Sequence, residues 1–182
     1  MTSSAEYYDA IARGYAGLHR QEQMTKFRSI MDHFEIKPTD TVLDVGCGPC
    51  FAFDIWPAPT HCKEMVGVDP SAGLIEQARE RGVTRTLVSR AEDMMDHLDV
   101  IQPPEGGFDV VISLTAVQNF DDLEKGISNM VALGKDRFAI TYLKRTAKAK
   151  AIDEIIERLL DVTLKHEQEY DIIYFCTKKK EN

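Results

Sequence analysis

The sequence predicts a doubly wound α/β protein, with a mostly parallel sheet covered by helices and an antiparallel hairpin at its C-terminal end. Three observations carry this expectation. Five short β-rich runs alternate with helix-compatible stretches between residues 41 and 160, the pattern of parallel strands joined by right-handed crossovers. Two of those runs contain "VVIS" and "FAIT", apolar nearly throughout, as strands covered on both faces should be. Finally, strand-like runs at 161–167 and 171–177 are separated by only a few residues, which suits a hairpin and not a helical crossover.

Two helices come first, over residues 1–36. "AEYYDAIARGYAGLH" sets Tyr8, Ile11, Ala12 and Tyr15 on one face, and "QEQMTKFRSIMDHF" does the same with Met24, Phe27, Ile30, Met31 and Phe34. Pro38 ends the second helix, because it disfavours helix at the residue before it. The core then occupies 37–182, with strands expected at 41–45, 64–69, 84–89, 108–114 and 137–143. Helices are expected at 71–82, 121–134 and 147–160, the first two closed by Gly82 and Gly134 as C-terminal caps. Pro57 and Pro59 interrupt "CFAFDIWPAPTHC", so any helix there is short. No linker or repeat divides the chain, and a single domain over 1–182 is expected.

Composition narrows the function classes. A formal charge of −8 argues against general capture of nucleic acid or anionic membrane. No apolar run approaches the roughly 20 residues of a membrane span, and the N-terminus lacks the layout of a signal peptide. Four cysteines without a secretory signal suggest reduced thiols. The expectation is a soluble, cytoplasmic protein.

The stretch "TVLDVGCGPC" (41–50) admits three chemistries. As a thiol oxidoreductase loop, Cys47 and Cys50 would form a dithiol at a helix start; yet the residue before Cys47 is Gly46, not the Trp of a thioredoxin. As a metal site, Cys47, Cys50, Cys62 and His61 are the available ligands, but adjacent His61 and Cys62 rarely both turn inward, and no metal is expected. The third reading is a strand-to-helix glycine turn that lets the backbone approach a ligand. Asp69, 23 positions after Gly46, closes the second strand where an acid can accept from ribose hydroxyls. A dinucleotide turn needs a small residue at position 51, and Phe51 stands there, so the nicotinamide reading fails.

"VLDVGCGPC", "VGVDPSAGLIEQAR", "SRAEDM" and "FDVVISLTAVQNFDD" together resemble the successive motifs of class I S-adenosylmethionine-dependent methyltransferases. "YYDAIARGYAGLH" resembles the N-terminal helix of the branch grouped with ubiquinone/menaquinone biosynthesis methylases. The resemblance covers roughly residues 6–145. It implies a Rossmann-like, seven-stranded sheet whose last strand inserts antiparallel. It implies S-adenosylmethionine as cofactor and S-adenosylhomocysteine as product.

Carried over by position, the resemblance has Asp44 hold the methionine amino group, while Gly46, Cys47 and Gly48 admit the methionine moiety. Asp69 binds the ribose, followed by Pro70 and Ser71, with Leu74 against adenine. Ala91, Glu92 and Asp93 lie near the adenine amino group, and Ser113, Leu114 and Thr115 line the transfer pocket. Tyr8 and Tyr15 either close over the cofactor or pack in the core. These two and His19 are the candidates for a catalytic role. One departure stands out, since the family's third glycine is Cys50 here.

The blander readings are strand end for Asp69, helix cap for Ser71, and first-turn charges for Glu92 and Asp93. Lys144, Arg145, Lys148 and Lys150 follow the fifth strand, where they are either solvated or close to an acidic substrate. The chain lacks the Asn/Asp-Pro-Pro-aromatic signature of amide and adenine methylases, and "SLTAVQNF" stands at that place. Amide and adenine nitrogens are therefore not the expected acceptors; the resemblance of the "YYDA" opening implies a small-molecule acceptor, or in related branches a tRNA or translation-factor site. The alternative is a non-catalytic or activator-dependent binding module acting on a translation component, with a small activator subunit completing the site.

Overall fold

The computed structural model describes residues 23–33 and 35–180. The first expected helix, with Tyr8, Tyr15 and His19, lies outside the described residues. The second is helical over 23–33 and is called α1. Then follow β1 (Thr41–Val45), β2 (Glu64–Asp69), α2 (Ala72–Glu80), β3 (Arg85–Val88), a short α3 (Leu98–Ile101), β4 (Phe108–Leu114), α4 (Leu123–Leu133), β5 (Gly134–Leu143), α5 (Ala149–Leu159), β6 (Leu160–Glu167) and β7 (Asp171–Lys178).

The seven strands form one sheet in the order β3-β2-β1-β4-β5-β7-β6. Strands β1 to β5 pair in parallel. β7 inserts antiparallel between β5 and β6, as the expected hairpin requires. Alternation explains the apolar runs. Leu43, Val45, Val111, Phe138 and Ile140 pack on one face with α4 and α5. Val42, Val110, Ile112, Ala139 and Ile173 pack on the other with α1 and α2. Side chains of the central strands β1 and β4 thus have a helix to bury against, whichever way they point.

This topology decides where a ligand can sit. From β1 the chain runs outward to β2 and β3, then crosses back to β4 on the other side of β1. The strand order therefore reverses between β1 and β4, and a crevice opens beyond their carboxyl ends. Because β7 runs antiparallel, its first residue reaches that same edge, with Asp171 opposite Leu143 at the end of β5.

Some local expectations are corrected. Gly134 does not cap α4 in the left-handed region; at φ −90° and ψ 147° it passes directly into β5. Gly82 does adopt φ 99° after α2. The segment after the glycine turn is a single 3₁₀ turn, Phe51–Asp54, as the two prolines demand. A 3₁₀ segment at Ala91–His97 and the short α3 lie between β3 and β4, outside the three helices expected in the core.

The α2 cap joins fold to site. Ser71 is fully buried, and its hydroxyl accepts from Leu74 N at 3.2 Å. Ser71→Ala is expected to cost about 1 kcal/mol, read as a lower urea midpoint with an unchanged slope.

Candidate functional site

The glycine turn is built by the end of β2. Val68 O accepts from Gly46 N at 2.7 Å and from Cys47 N at 3.0 Å. Gly46 and Gly48 have φ of 72° and 53°, left-handed values that glycine adopts without penalty. Gly46 also has no room for a side chain, since a Cβ there would lie 2.3 Å from that of Ala116. Cys50, at the family's third glycine position, holds the left-handed conformation as well, with φ 54°.

Asp69 closes β2 and is 6% exposed. One carboxylate oxygen accepts from Gly48 N at 2.8 Å and the other from Ser71 N at 2.9 Å. Each oxygen of a carboxylate has two lone pairs and can accept more than one hydrogen bond. Asp44, on β1, is 3% exposed. Among the described residues its side-chain hydrogen bond comes from the Cys50 thiol, at 3.7 Å. Burial pushes the Asp44 carboxyl up from 3.8 to about 7, with the thiol contact opposing and the Asp69 charge adding to the rise.

Two adjoining cavities flank this turn. The larger is lined by Gly46, Gly48, Asp69, Pro70 and Leu74, by Ser89 to Glu92, by Leu114 to Ala116, and by Asn119 to Asp121. The smaller lies between α1 and the turn and is lined by Gln23, Phe27, Asp44, Gly46, Cys47, Gly48, Pro49, Phe51 and Leu114. Of the residues carried over by position, Gly46, Gly48, Asp69, Pro70, Leu74, Ala91, Glu92, Leu114 and Thr115 meet at the first cavity. Asp44 and Cys47 meet at the second.

Three of them line neither. Ser71 caps α2. Ser113 is buried and donates to Val45 O at 2.7 Å, tying β4 to β1. Asp93 is half-exposed and pairs with Lys125 at 3.5 Å. Glu92 lines the cavity but also holds it together. Its Oε1 accepts from Asp121 N at 2.7 Å, Asp122 N at 3.1 Å and the Arg90 guanidinium at 3.1 Å. Burial alone would raise the Glu92 carboxyl, but the guanidinium and the backbone N–H groups outweigh it and hold it below its usual value.

The sequence reading missed much of the loop after β4. Ala116, Asn119, Phe120 and Asp121 are wall residues, and all fall within the stretch "TAVQNFDD" that carried the resemblance. It also missed Lys26, a polar residue among the apolar positions of α1, and Asp171, for which no local pattern exists. Two cations of the basic stretch after β5 are tied down: Lys144 pairs with Glu167 at 2.5 Å, and Lys148 donates to Phe120 O at 2.5 Å.

The thiols are inside the protein. Cys47, Cys50, Cys62 and Cys176 are free and buried. The contact with Cys50, then burial, pushes the Cys47 thiol well up. For Cys50, the Cys47 contact pulls down, but burial and the Asp44 charge win. Such groups are poor nucleophiles. Gly67 leaves them space, since a Cβ there would lie 3.0 Å from the Cys47 sulfur. Cys62 donates to Trp56 O at 3.2 Å, while His61 is exposed beside Thr60. Ellman's reagent at neutral pH is expected to leave all four cysteines unreacted for minutes in the native protein and to label them all in urea. Rapid native labelling of Cys47 would revive the dithiol reading.

Residues 43–137 match the family model described as a methyltransferase domain. An uncharacterised methyltransferase of Schizosaccharomyces pombe is 28% identical over 118 residues, covering 61% of this chain and 43% of its own length. An uncharacterised protein of Methanocaldococcus jannaschii is 27% identical over 131 residues, covering 72% of this chain and 47% of its own. The chain thus spans about half the length of these curated relatives. Among solved structures, a chain of the complex between the Haloferax volcanii Trm112 methyltransferase activator and a methyltransferase superposes with a TM-score of 0.76 at 14% identity, over 95% of this chain and 98% of that one. Magnesium protoporphyrin IX methyltransferase from Synechocystis, with bound S-adenosylmethionine, gives 0.64 at 14% identity over 88% and 80%. These likenesses extend the shared fold over nearly the whole chain. The family match spans β1 through the start of β5, the strands that build the glycine turn and both cavities, and on it the chain belongs to the methyltransferase domain family.

Proposed function

We propose that this protein transfers a methyl group from S-adenosylmethionine to a small-molecule acceptor. The observation that carries the reading is the pair of buried carboxylates on either side of the glycine turn. Asp69 lines the larger cavity, where a carboxylate can accept from ribose hydroxyls. Asp44 faces the smaller one with a carboxyl held at about 7 by burial, a group whose ionised form a bound ammonium would stabilise. Gly46 and Gly48 bring backbone close to the ligand between them, and Leu74 offers an apolar contact for the adenine. When bound, the cofactor supplies a methyl group already activated by the sulfonium. The chain's contribution is then alignment and exclusion of water, through Gln23, Phe27 and Leu114 around the methionine end.

The N-terminal motif points to the ubiquinone/menaquinone branch, and we keep that assignment as part of the proposal. The fold likeness to the Haloferax chain is compatible with an activator subunit, a second reading that does not displace the first. Both share the same cofactor site.

Calorimetric titration of S-adenosylhomocysteine into the reduced protein is expected to show micromolar binding, lost in an Asp69→Ala variant that still melts cooperatively. A folded wild type that binds none would overturn the reading.

The pH dependence follows from Asp44. Between its ordinary value of 3.8 and about 7, the ligand-free fold holds a proton that the unfolded chain has released. Its stability therefore falls as pH rises through that window. An ammonium at Asp44 expels the proton on binding. Affinity for S-adenosylhomocysteine should thus rise by up to about tenfold per pH unit below 7 and level off above. Asp44→Asn should flatten the profile; an unchanged slope would separate Asp44 from the ligand.

A further inference from the structure

Thr115 follows β4 in a conformation its own side chain resists. Its φ is 57°, in the left-handed region, which a β-branched residue occupies only when its surroundings impose it. Two sets of contacts do so. From β5, Thr141 accepts the Thr115 N–H through both its carbonyl oxygen, at 3.0 Å, and its hydroxyl, at 2.8 Å. From outside the parallel sheet, the Lys26 ammonium on α1 donates to Thr115 Oγ1 at 2.6 Å and pairs with Asp171 of β7 at 3.1 Å. The Thr115 hydroxyl donates in turn to Asp171 at 3.3 Å and lies 3.2 Å from the Thr141 hydroxyl. Lys26 and Asp171 are 2% and 3% exposed and Thr141 is fully buried. The Thr115 hydroxyl thus accepts from the ammonium and donates to the carboxylate.

What the turn at Thr115 controls is the shape of the cleft. The next residue, Ala116, sits where a side chain on Gly46 would be. The wall formed by Leu114, Thr115 and Ala116 therefore stands directly against the glycine turn. The same helix that carries Lys26 also carries Gln23 and Phe27, which line the smaller cavity next to Asp44. A buried ion pair is often no more stabilising than well-packed apolar residues of similar size. What the pair supplies here is direction: an ammionium and a carboxylate together hold one hydroxyl, and with it one backbone conformation.

We propose that Lys26 and Asp171 are positioning residues for the cofactor, holding Thr115 in its left-handed turn so that the wall after β4 keeps its place against the glycine turn. The proposal rests on the cofactor reading of the cleft. It couples the docking of α1, and of the start of β7, to cofactor affinity. Where the turn is not held, only a fraction of molecules present the competent wall, and the apparent affinity falls by that fraction.

The test is S-adenosylhomocysteine titration with thermal melts across two pairs of variants. Thr115→Val keeps the branched side chain but removes the hydroxyl the pair grips. Thr115→Gly removes the hydroxyl together with the cost of the left-handed turn. Thr115→Gly is expected to bind about tenfold tighter than Thr115→Val. The Lys26→Met/Asp171→Leu double variant, which removes both members of the buried pair, is expected to bind about tenfold more weakly than wild type. Adding Thr115→Gly to it should recover most of that loss. Equal or weaker binding by Thr115→Gly relative to Thr115→Val overturns the proposal. So does a folded double variant that binds like wild type, or one that Thr115→Gly fails to improve. If the double variant does not fold, the valine and glycine pair decides alone. Absence of binding by the wild type would instead overturn the cofactor reading itself.

Discussion

The Asp69 carboxylate is shared between two turns, one oxygen accepting from Gly48 N and the other from Ser71 N, so that the ends of β1 and β2 are locked to one another. A buried carboxylate needs donors to offset its lost hydration. Here backbone N–H groups at a glycine turn and at the entry to α2 are such donors. The arrangement holds Asp69 in the wall of the larger cavity.

The opposite wall is held by a different device. The loop after β4 is tied from three directions: by Glu92 accepting from Asp121 and Asp122 N–H, by Lys148 donating to Phe120 O, and by the polar circuit at Thr115. None of these partners is close in sequence to the loop. The wall is thus a product of the sheet order, which brings the ends of β3, β5 and β7 and the side of α1 to the same edge. A hydrogen-bonded turn on one side and a tied loop on the other form the two walls of the cleft.

Two acids and two thiols lie buried around the same turn, and their chemistry differs because their partners differ. Asp69 has backbone donors. Asp44 has a thiol at 3.7 Å, a weak donor, and so burial dominates its titration. The Cys-Gly-Pro-Cys run looks like redox chemistry only in one dimension. In three, it is the wall between the turn and the core, beside Met65 and Gly67, and the sulfurs behave as small packing groups.

Sequence periodicity determined the strands, their apolar double burial and the terminal hairpin, because these are local patterns repeated along the chain. The glycine turn and Asp69 were legible for the same reason, since strand, turn and next strand lie within some 30 residues of one another, the size of a βαβ unit. Element ends were less legible: Gly134 reads as a helix cap, yet β5 begins there, because pairing with Phe108 of β4 outweighs the local preference. The roles of Lys26, Thr115 and Asp171 could only be decided by the tertiary structure. They are 89 and 56 positions apart along the chain, and no spacing rule joins them. The antiparallel insertion of β7 does, by turning the start of the last strand back to the edge where the ligand cleft opens.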